Sequence, residues 1–546
     1  MTDIETVRAR HRALMKENRA FMSEPLPANI GTLVDEAAAR HGDAPALVFF
    51  EAGETLTYRA LKDQMDRCAG AFARLGIGKG TRVVVMLPNM PAYPVTWLAL
   101  ARLGAIMVPV NTRYTARELE YVINDAEAQA LVIHSDYVPH FESIGRRPAS
   151  LTSERVITVG QPCPGFKNRW PDLVAAAGPD FRPSWPVGLD DLVNIQYTSG
   201  TTGFPKGCMI PQCFWLQAAR VAGFVTRQRF KRILVAQFFF YMDPMFLLPL
   251  ALLQGGAVYM CSRPNNTKFM EWVRAYEIEL CLIFEPVYKQ PPHPDDAKTK
   301  LKNAFIFGFT KENHHDLERR FSVTAREFYG MTENGGCLYV PPEDTHMVGS
   351  GSCGIPAPGR EVKIMGEDGL PVPPGEVGEL WTRGLGQMHG YYDKPEANAE
   401  SLRGEWFRTG DLFRVDMEGY HYIVGRVKDM VRRSGENIAS REVEAVLRTM
   451  PEIKEAAVVP VPDSVRGEEV KAYIQLQDGI KRSDVPPERI LAHCEAGLAR
   501  FKIPRYIAYR DSFSYTASDR VEKKKLTEGI ADLRADSYDR VDKVWR

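Results

Sequence analysis

The sequence predicts an α/β chain with a large N-terminal domain of parallel-type sheets covered by helices. A small β-rich subdomain follows, and then a smaller α+β domain at the C-terminus. Three observations predict this. Short, continuously apolar, Val-rich runs alternate with helix-like stretches through the long N-terminal part. The texture turns Pro- and Gly-rich over Pro356 to Gly378, which reads as turns and short strands. Past Gly425 a compact mixture of helix and strand returns. A chain of 546 residues exceeds what one hydrophobic core organises, so two folding units are the minimum.

After Thr57, the residues Leu61, Met65, Cys68, Phe72 and Leu75 fall on one helical face, and Gly76 is a plausible stop. Arg82 to Leu87 (RVVVML) reads as a buried strand, Pro91 to Leu103 as a helix and Ala105 to Val110 as a second strand. Similar strand-like runs recur at Ala130 to Ile133, Leu192 to Tyr197, Ala257 to Cys261 and Leu280 to Phe284. The apolar stretch Phe238 to Leu253 carries Asp243, Pro244 and Pro249, so it reads as buried core and not as a membrane span. Its three consecutive phenylalanines suggest a buried strand. In the C-terminal part, Arg441 to Met450 and Pro487 to Leu498 read as helices, Ala456 to Pro460 and Val470 to Gln477 as strands. We place the boundary at Lys428, giving domains 1–427 and 428–546.

Lys plus Arg equals Asp plus Glu at 69 each, so no global field draws nucleic acid or an anionic membrane, and any anion site must be local. The basic, interrupted start of the chain lacks the apolar core of a signal peptide. Nine cysteines without a CxxC pair read as reduced thiols in the cytoplasm. His314 and His315 are adjacent, but neighbouring side chains diverge, which argues against a metal site there.

The strongest local signal is Tyr197 to Gly207, YTSGTTGFPKG, directly after an apolar strand. Its glycines let backbone N–H groups approach an anion, its hydroxyls donate to phosphate oxygens, and Lys206 supplies a mobile positive charge. The stretch fails the P-loop pattern, since a frame begun at Gly200 meets Pro205 where glycine belongs and Gly207 where Ser or Thr belongs. It resembles instead the signature loop of the adenylate-forming (AMP-binding) superfamily, which includes acyl-CoA synthetases, peptide-synthetase adenylation domains and firefly-type luciferases. The segments Tyr329-Gly330-Met331-Thr332-Glu333, Thr409-Gly410-Asp411 and Gly425-Arg426-Val427-Lys428-Asp429, running into Ser434-Gly435-Glu436-Asn437, follow in that superfamily's order.

The resemblance implies ATP-dependent activation of a carboxylic acid to an acyl-adenylate, then transfer to coenzyme A, with a C-terminal domain that moves between the two steps. Thr198, Ser199, Gly200, Thr201, Thr202, Gly203 and Lys206 would hold the phosphate tail. Gly308, Phe309, Phe328, Tyr329, Gly330 and Met331 would border the adenine, with Tyr329 stacking on it. Thr332 would donate to the α-phosphate, Glu333 would ligate magnesium, and Asp411 with Arg426 would hold the ribose. Lys428 would be the hinge, and Ser434 and Gly435 would face the thiol tunnel. The superfamily's C-terminal catalytic lysine has no match here. Arg520 falls at its position, so Arg520 takes that role in our reading, with Lys523 in reserve.

By the same resemblance, Gln237 to Met245 lines the acyl pocket with Phe305 to Phe309 and Asn334 to Tyr339. Its aromatic bulk favours a small or aryl-type acid, and Phe240, Tyr241 and Asp243 could box a quaternary ammonium acid. The chain stops soon after Leu526 with no carrier domain, which makes free coenzyme A the simplest acceptor. Two alternatives stay open: a stand-alone adenylating enzyme that loads a separate carrier protein, and a degenerate homologue that binds nucleotide or adenylate without turnover. The expected partners are therefore the acid, ATP and coenzyme A, with no nucleic acid and no integral membrane segment. Neither the acid nor the oligomeric state is specified, and a homodimer stays open.

Overall fold

In the computed structural model, the described residues are 4–198, 205–433, 436–516 and 520–546. Two large sheets form the N-terminal part. The first takes, in order, Asn168–Arg169, Val156–Val159, Ala130–His134, Arg82–Met86, Ile106–Pro109, Leu192–Thr198 and Lys206–Pro211. All its pairs are parallel except the last, an antiparallel hairpin that registers Thr198 against Lys206. The second has nine strands: Ile355–Pro356, Gly335–Tyr339, Thr324–Met331, Asn303–Ile306, Leu280–Leu282, Arg232–Val235, Ala257–Met260, Pro45–Phe49 and Glu54–Thr57. Its middle is parallel and its edges antiparallel.

One hydrophobic core joins the two sheets, taking Val83, Val85 and Val193 from the first and Leu47, Ile233 and Val258 from the second. The helix Ala92–Leu103 is buried at every position, as a helix apolar all round must be. The amphipathic helix Tyr58–Arg74 starts on Thr57, whose hydroxyl accepts from Ala60 N–H, an N-cap that satisfies one of the first-turn donors. Within the strand Leu192–Thr198, Asn194 is fully buried and its side chain accepts from the indole N–H groups of Trp97 and Trp215, at 3.1 and 3.0 Å. That polar clasp pins the strand that leads to Thr198.

A five-stranded antiparallel sheet follows, built from Arg360–Met365, Gly378–Gly384, Leu402–Arg403, Trp406–Val415 and His421–Arg426. The last sheet, with the helices Ser440–Arg448 and Pro487–Gly497, draws only on residues from Met430 onward and has its own core around Val443, Val458 and Ile474. The architecture is α/β, with sheets and helices in the large N-terminal part and a smaller β-rich C-terminal unit. A C-terminal hairpin, Tyr538–Asp539 with Val544–Trp545, adds an edge that periodicity does not signal. No helix among the described residues is long and apolar enough to cross a membrane. All nine cysteines are free and eight are buried.

The expected strand through the three phenylalanines is corrected. The strand ends at Val235, and a helix runs from Met242 to Gln254. Between them the Asn89 side chain accepts from Phe239 N–H and donates to Gln237 O, taking the backbone groups a neighbouring strand would have bonded. The stretch Leu280 to Phe284 is likewise shorter as a strand, ending at Leu282 before a helical turn over Glu285–Tyr288.

Candidate functional site

Two hairpins border one cleft of about 3220 Å³. The first is Leu192–Thr198 with Lys206–Pro211. The Ser199, Gly200, Thr201, Thr202 and Gly203 of its tip lie outside the described residues, as do Ser434 and Gly435. Thr198 and Lys206 stand at its base, and Tyr121 anchors the returning strand by donating to Pro205 O at 2.8 Å. The second is Thr324–Met331 with Gly335–Tyr339, turning through Thr332, Glu333 and Asn334. Asn334 is fully buried and shapes this turn by accepting from Met331 N–H and bonding Thr382, at 2.9 and 3.3 Å. Gly330 is required there, because a Cβ would fall 2.2 Å from Gly335 O.

Thr332 lines the cleft and makes no hydrogen bond within the described protein. Glu333 is 7% exposed. Burial raises its carboxyl above the usual range, against the opposing pull of the Tyr391 hydroxyl and the more distant Lys206 and Arg426 charges. Tyr391 donates to Glu333 Oε1 at 2.9 Å, and Lys206 Nζ stands 4.1 Å above the centre of the same ring. Sequence reasoning missed Tyr391. It arrives through the segment Met388 to Tyr392, which runs along the Lys206–Pro211 strand by way of Met209 N–H to Gly390 O, Tyr392 N–H to Gly207 O and a bridge between Cys208 and Tyr391. Met388 N–H also donates to Glu333 O at 2.9 Å. The only available signal is the Gly390-Tyr391-Tyr392-Asp393-Lys394-Pro395 punctuation.

Asp411, 3% exposed, sits on the antiparallel sheet directly across from Arg426. Its Oδ2 accepts from the Tyr329 hydroxyl at 2.6 Å. Its Oδ1 lies 2.9 Å from Arg426 Nε, yet with no aligned hydrogen-bond donor, so it keeps acceptor capacity for a hydroxyl. The Tyr329 ring packs edge-on against Phe413 and is 8% exposed, so the tyrosine expected to stack on a base also clamps the carboxylate expected to bind a ribose. Beside it, Glu327 is buried and accepts from Gly308 N–H and Phe309 N–H. Burial pushes its carboxyl up to about 8, despite those bonds and the nearby Arg441. Glu327 was not anticipated. It holds the backbone of the Gly308–Phe309 segment at the strand end, where Gly308 has φ +61.

Arg520 enters the cleft from the C-terminal unit. Desolvation lowers its pKa first, Arg426 adds repulsion, and Asp411 opposes both. Lys523 is engaged elsewhere, with Nζ 2.7 Å from Glu444 and 3.7 Å from Asp429. The Lys428 backbone lies in the turn Val427–Asp429 that joins the last antiparallel strand to the C-terminal unit, while its side chain is outside the described residues. His314, also in the cleft wall, is bonded through both ring nitrogens, to Ala325 O and Gly349 N–H.

Phe240, Tyr241 and Asp243 border the same cleft, where Phe240 stacks on Phe238 at 5.1 Å and meets Tyr241 at 4.6 Å. Deeper in, Phe305 lies 4.9 Å edge-on from Phe328. As to a metal, no group of three or more His, Cys, Asp or Glu among the described residues could hold one. Glu333 brings a buried carboxylate to the cleft, a hard oxygen donor that suits a divalent ion taking its other ligands from phosphate and water.

A model of the AMP-binding enzyme family matches residues 34–392, and one of the AMP-binding enzyme C-terminal domain matches 442–520. A feruloyl-CoA synthase of Amycolatopsis sp is 32% identical over 499 residues, covering 90% of this chain and 95% of the relative. A crotonobetaine/carnitine–CoA ligase of Salmonella heidelberg (strain SL476) is 29% identical over 524 residues, covering 91% and 98%. Among solved structures, ATP-bound MatB from Rhodopseudomonas palustris superposes with a TM-score of 0.81 at 25% identity, over 92% of this chain and 98% of that one.

Proposed function

This chain belongs to the AMP-binding enzyme family, and from that premise we propose that it is an AMP-forming acid–CoA ligase. It activates a carboxylic acid with ATP and passes the acyl group to coenzyme A. The observation that carries the reading is the meeting of Lys206, Tyr329, Thr332, Glu333, Asp411, Arg426 and Arg520 around one cleft.

In the first half-reaction a carboxylate oxygen attacks the α-phosphorus, the bond to the bridging α–β oxygen breaks, and pyrophosphate leaves with that electron pair. Two anions must approach, so the protein's task is to screen charge and hold geometry. Thr198, Lys206 and the loop residues 199–203 grip the departing phosphates. Thr332 donates to the α-phosphate, and Arg520 bridges it to the incoming carboxylate. Gly308, Phe309, Phe328, Tyr329, Gly330 and Met331 border the adenine. Asp411, oriented by Tyr329, accepts from the ribose hydroxyls with Arg426 alongside. Magnesium, held by Glu333, would neutralise phosphate charge when bound.

In the second half-reaction the coenzyme A thiolate attacks the acyl carbonyl and AMP leaves. We place the division into mobile domains at residues 427 and 428, with Lys428 as hinge and Ser434 and Gly435 facing the thiol. The buried, unpaired cysteines support a cytoplasmic setting. The two relatives act, by their names, on different acyl groups, so they leave the acid open.

Purified protein with ATP, magnesium, an acid panel and coenzyme A tests the reading. AMP and an acyl thioester should appear together, and omission of coenzyme A should leave acyl-adenylate and pyrophosphate. Release of ADP, or AMP formation independent of any acid, would contradict it.

A further inference from the structure

The wall of the cleft beside the nucleotide residues carries a carboxylate that the activation chemistry does not use. Asp243 lies in the first turn of the helix Met242–Gln254 and borders the cleft, half-buried. It makes neither hydrogen bond nor ion pair within the described protein. Burial alone lifts its carboxyl to about 6, so no basic side chain compensates it. Its surroundings are aromatic. Phe246, three residues on, shares its helix face and meets Phe305 at 6.1 Å, and Phe305 in turn meets Phe328, the neighbour of Tyr329. Phe240 and Tyr241 precede it, 4.6 Å apart. The outer ring of this group, Phe238, already has a cation on it, the Arg113 guanidinium at 5.8 Å.

Burying an unpaired carboxylate is costly, and a helix N-terminus offsets only about 0.3–1 kcal/mol of it. A ligand that brought a positive charge would remove the cost, because aromatic faces and a desolvated carboxylate both attract cations. The same carboxylate would repel an acyl group ending in a second acid.

Resting on the acid-activating reading above, we propose that the acid carries a cationic group, a quaternary or protonated amine, at the far end of its acyl chain. That group is received by Asp243 and the Phe240–Tyr241 ring faces.

The test is a matched pair of acids, a butanoate ending in trimethylammonium and its tert-butyl counterpart, alike in shape and different by one charge. The readout is kcat/KM for acid-dependent exchange of labelled pyrophosphate into ATP. The wild-type protein should prefer the ammonium acid by about 10- to 100-fold, the range of a desolvated charge contact. The preference should shrink as pH falls below about 6, where Asp243 takes up a proton. Asp243→Asn should lower the ratio of the two acids toward one. The wild-type comparison stands alone if that variant does not fold. Equal or better use of the tert-butyl acid, exchange with neutral acids only, or a ratio that a folded Asp243→Asn leaves untouched would overturn the proposal. Exchange with no acid of any class would overturn the acid-activating reading beneath it.

Discussion

The Tyr391 hydroxyl donates a 2.9 Å hydrogen bond to Glu333 Oε1, so a residue outside every linear motif orients the carboxylate on which the metal reading depends. Lys206 Nζ rests over the ring of the same tyrosine, which ties this lysine to the turn bearing Thr332 and Glu333. Nucleotide binding would draw Lys206 off the ring toward phosphate.

Tyr391→Phe keeps the ring and loses the donor. A hydrogen bond to a charged group contributes about 1.5–3 kcal/mol, so adenylation should fall by about 10- to 100-fold. The pH dependence gives a sharper readout. Glu333 already titrates above the usual carboxylate range, and the Tyr391 bond favours its ionised form. Without that bond its pKa rises further, so the acid limb of the adenylation profile should move to higher pH and the magnesium requirement should increase. An unmoved acid limb would remove Tyr391 from the account.

Arg520 and Lys523 should separate cleanly. Arg520→Ala should slow adenylate formation by about 100- to 1000-fold, the scale of one lost donor to a developing charge, and spare thioester formation from supplied acyl-adenylate. Lys523→Ala breaks the ion pairs to Glu444 and Asp429, both within the C-terminal unit, and should lower that unit's stability with a smaller effect on chemistry. Loss of adenylation in Lys523→Ala alone would reverse the assignment.

Asn194→Ala should destabilise the N-terminal part by about 2–6 kcal/mol, because it strands two buried indole N–H groups at about 1–3 kcal/mol each. A thermal melt reads this directly. Asn194 lies in the strand that leads into the proposed phosphate loop, so pyrophosphate binding should weaken in the folded fraction as well.

The alternating strands and helices were legible because buried parallel strands are continuously apolar, as Val83 to Met86 are. The motifs bearing Lys206 and Glu333 were legible because each occupies one unbroken stretch, but the hairpins that carry them were not read. Tyr391 and Glu327 were not. Each acts on a site residue from a different part of the chain, and a side chain's partner across a sheet has no linear trace. The phenylalanine run misled for a related reason: Asn89, far away in sequence, captures the backbone and ends the extended segment. The C-terminal hairpin has strands of two residues, too short for any period to register.

The central claim is that Lys206, Glu333, Asp411 and Arg520 form one adenylating centre. Acid-dependent exchange of labelled pyrophosphate into ATP tests it most directly, measured for the wild-type chain and for Glu333→Gln and Asp411→Asn. The account predicts exchange with at least one carboxylic acid, abolished or cut by about 100-fold or more in both variants. Exchange that both variants retain at the wild-type rate, or none with any acid, would contradict it.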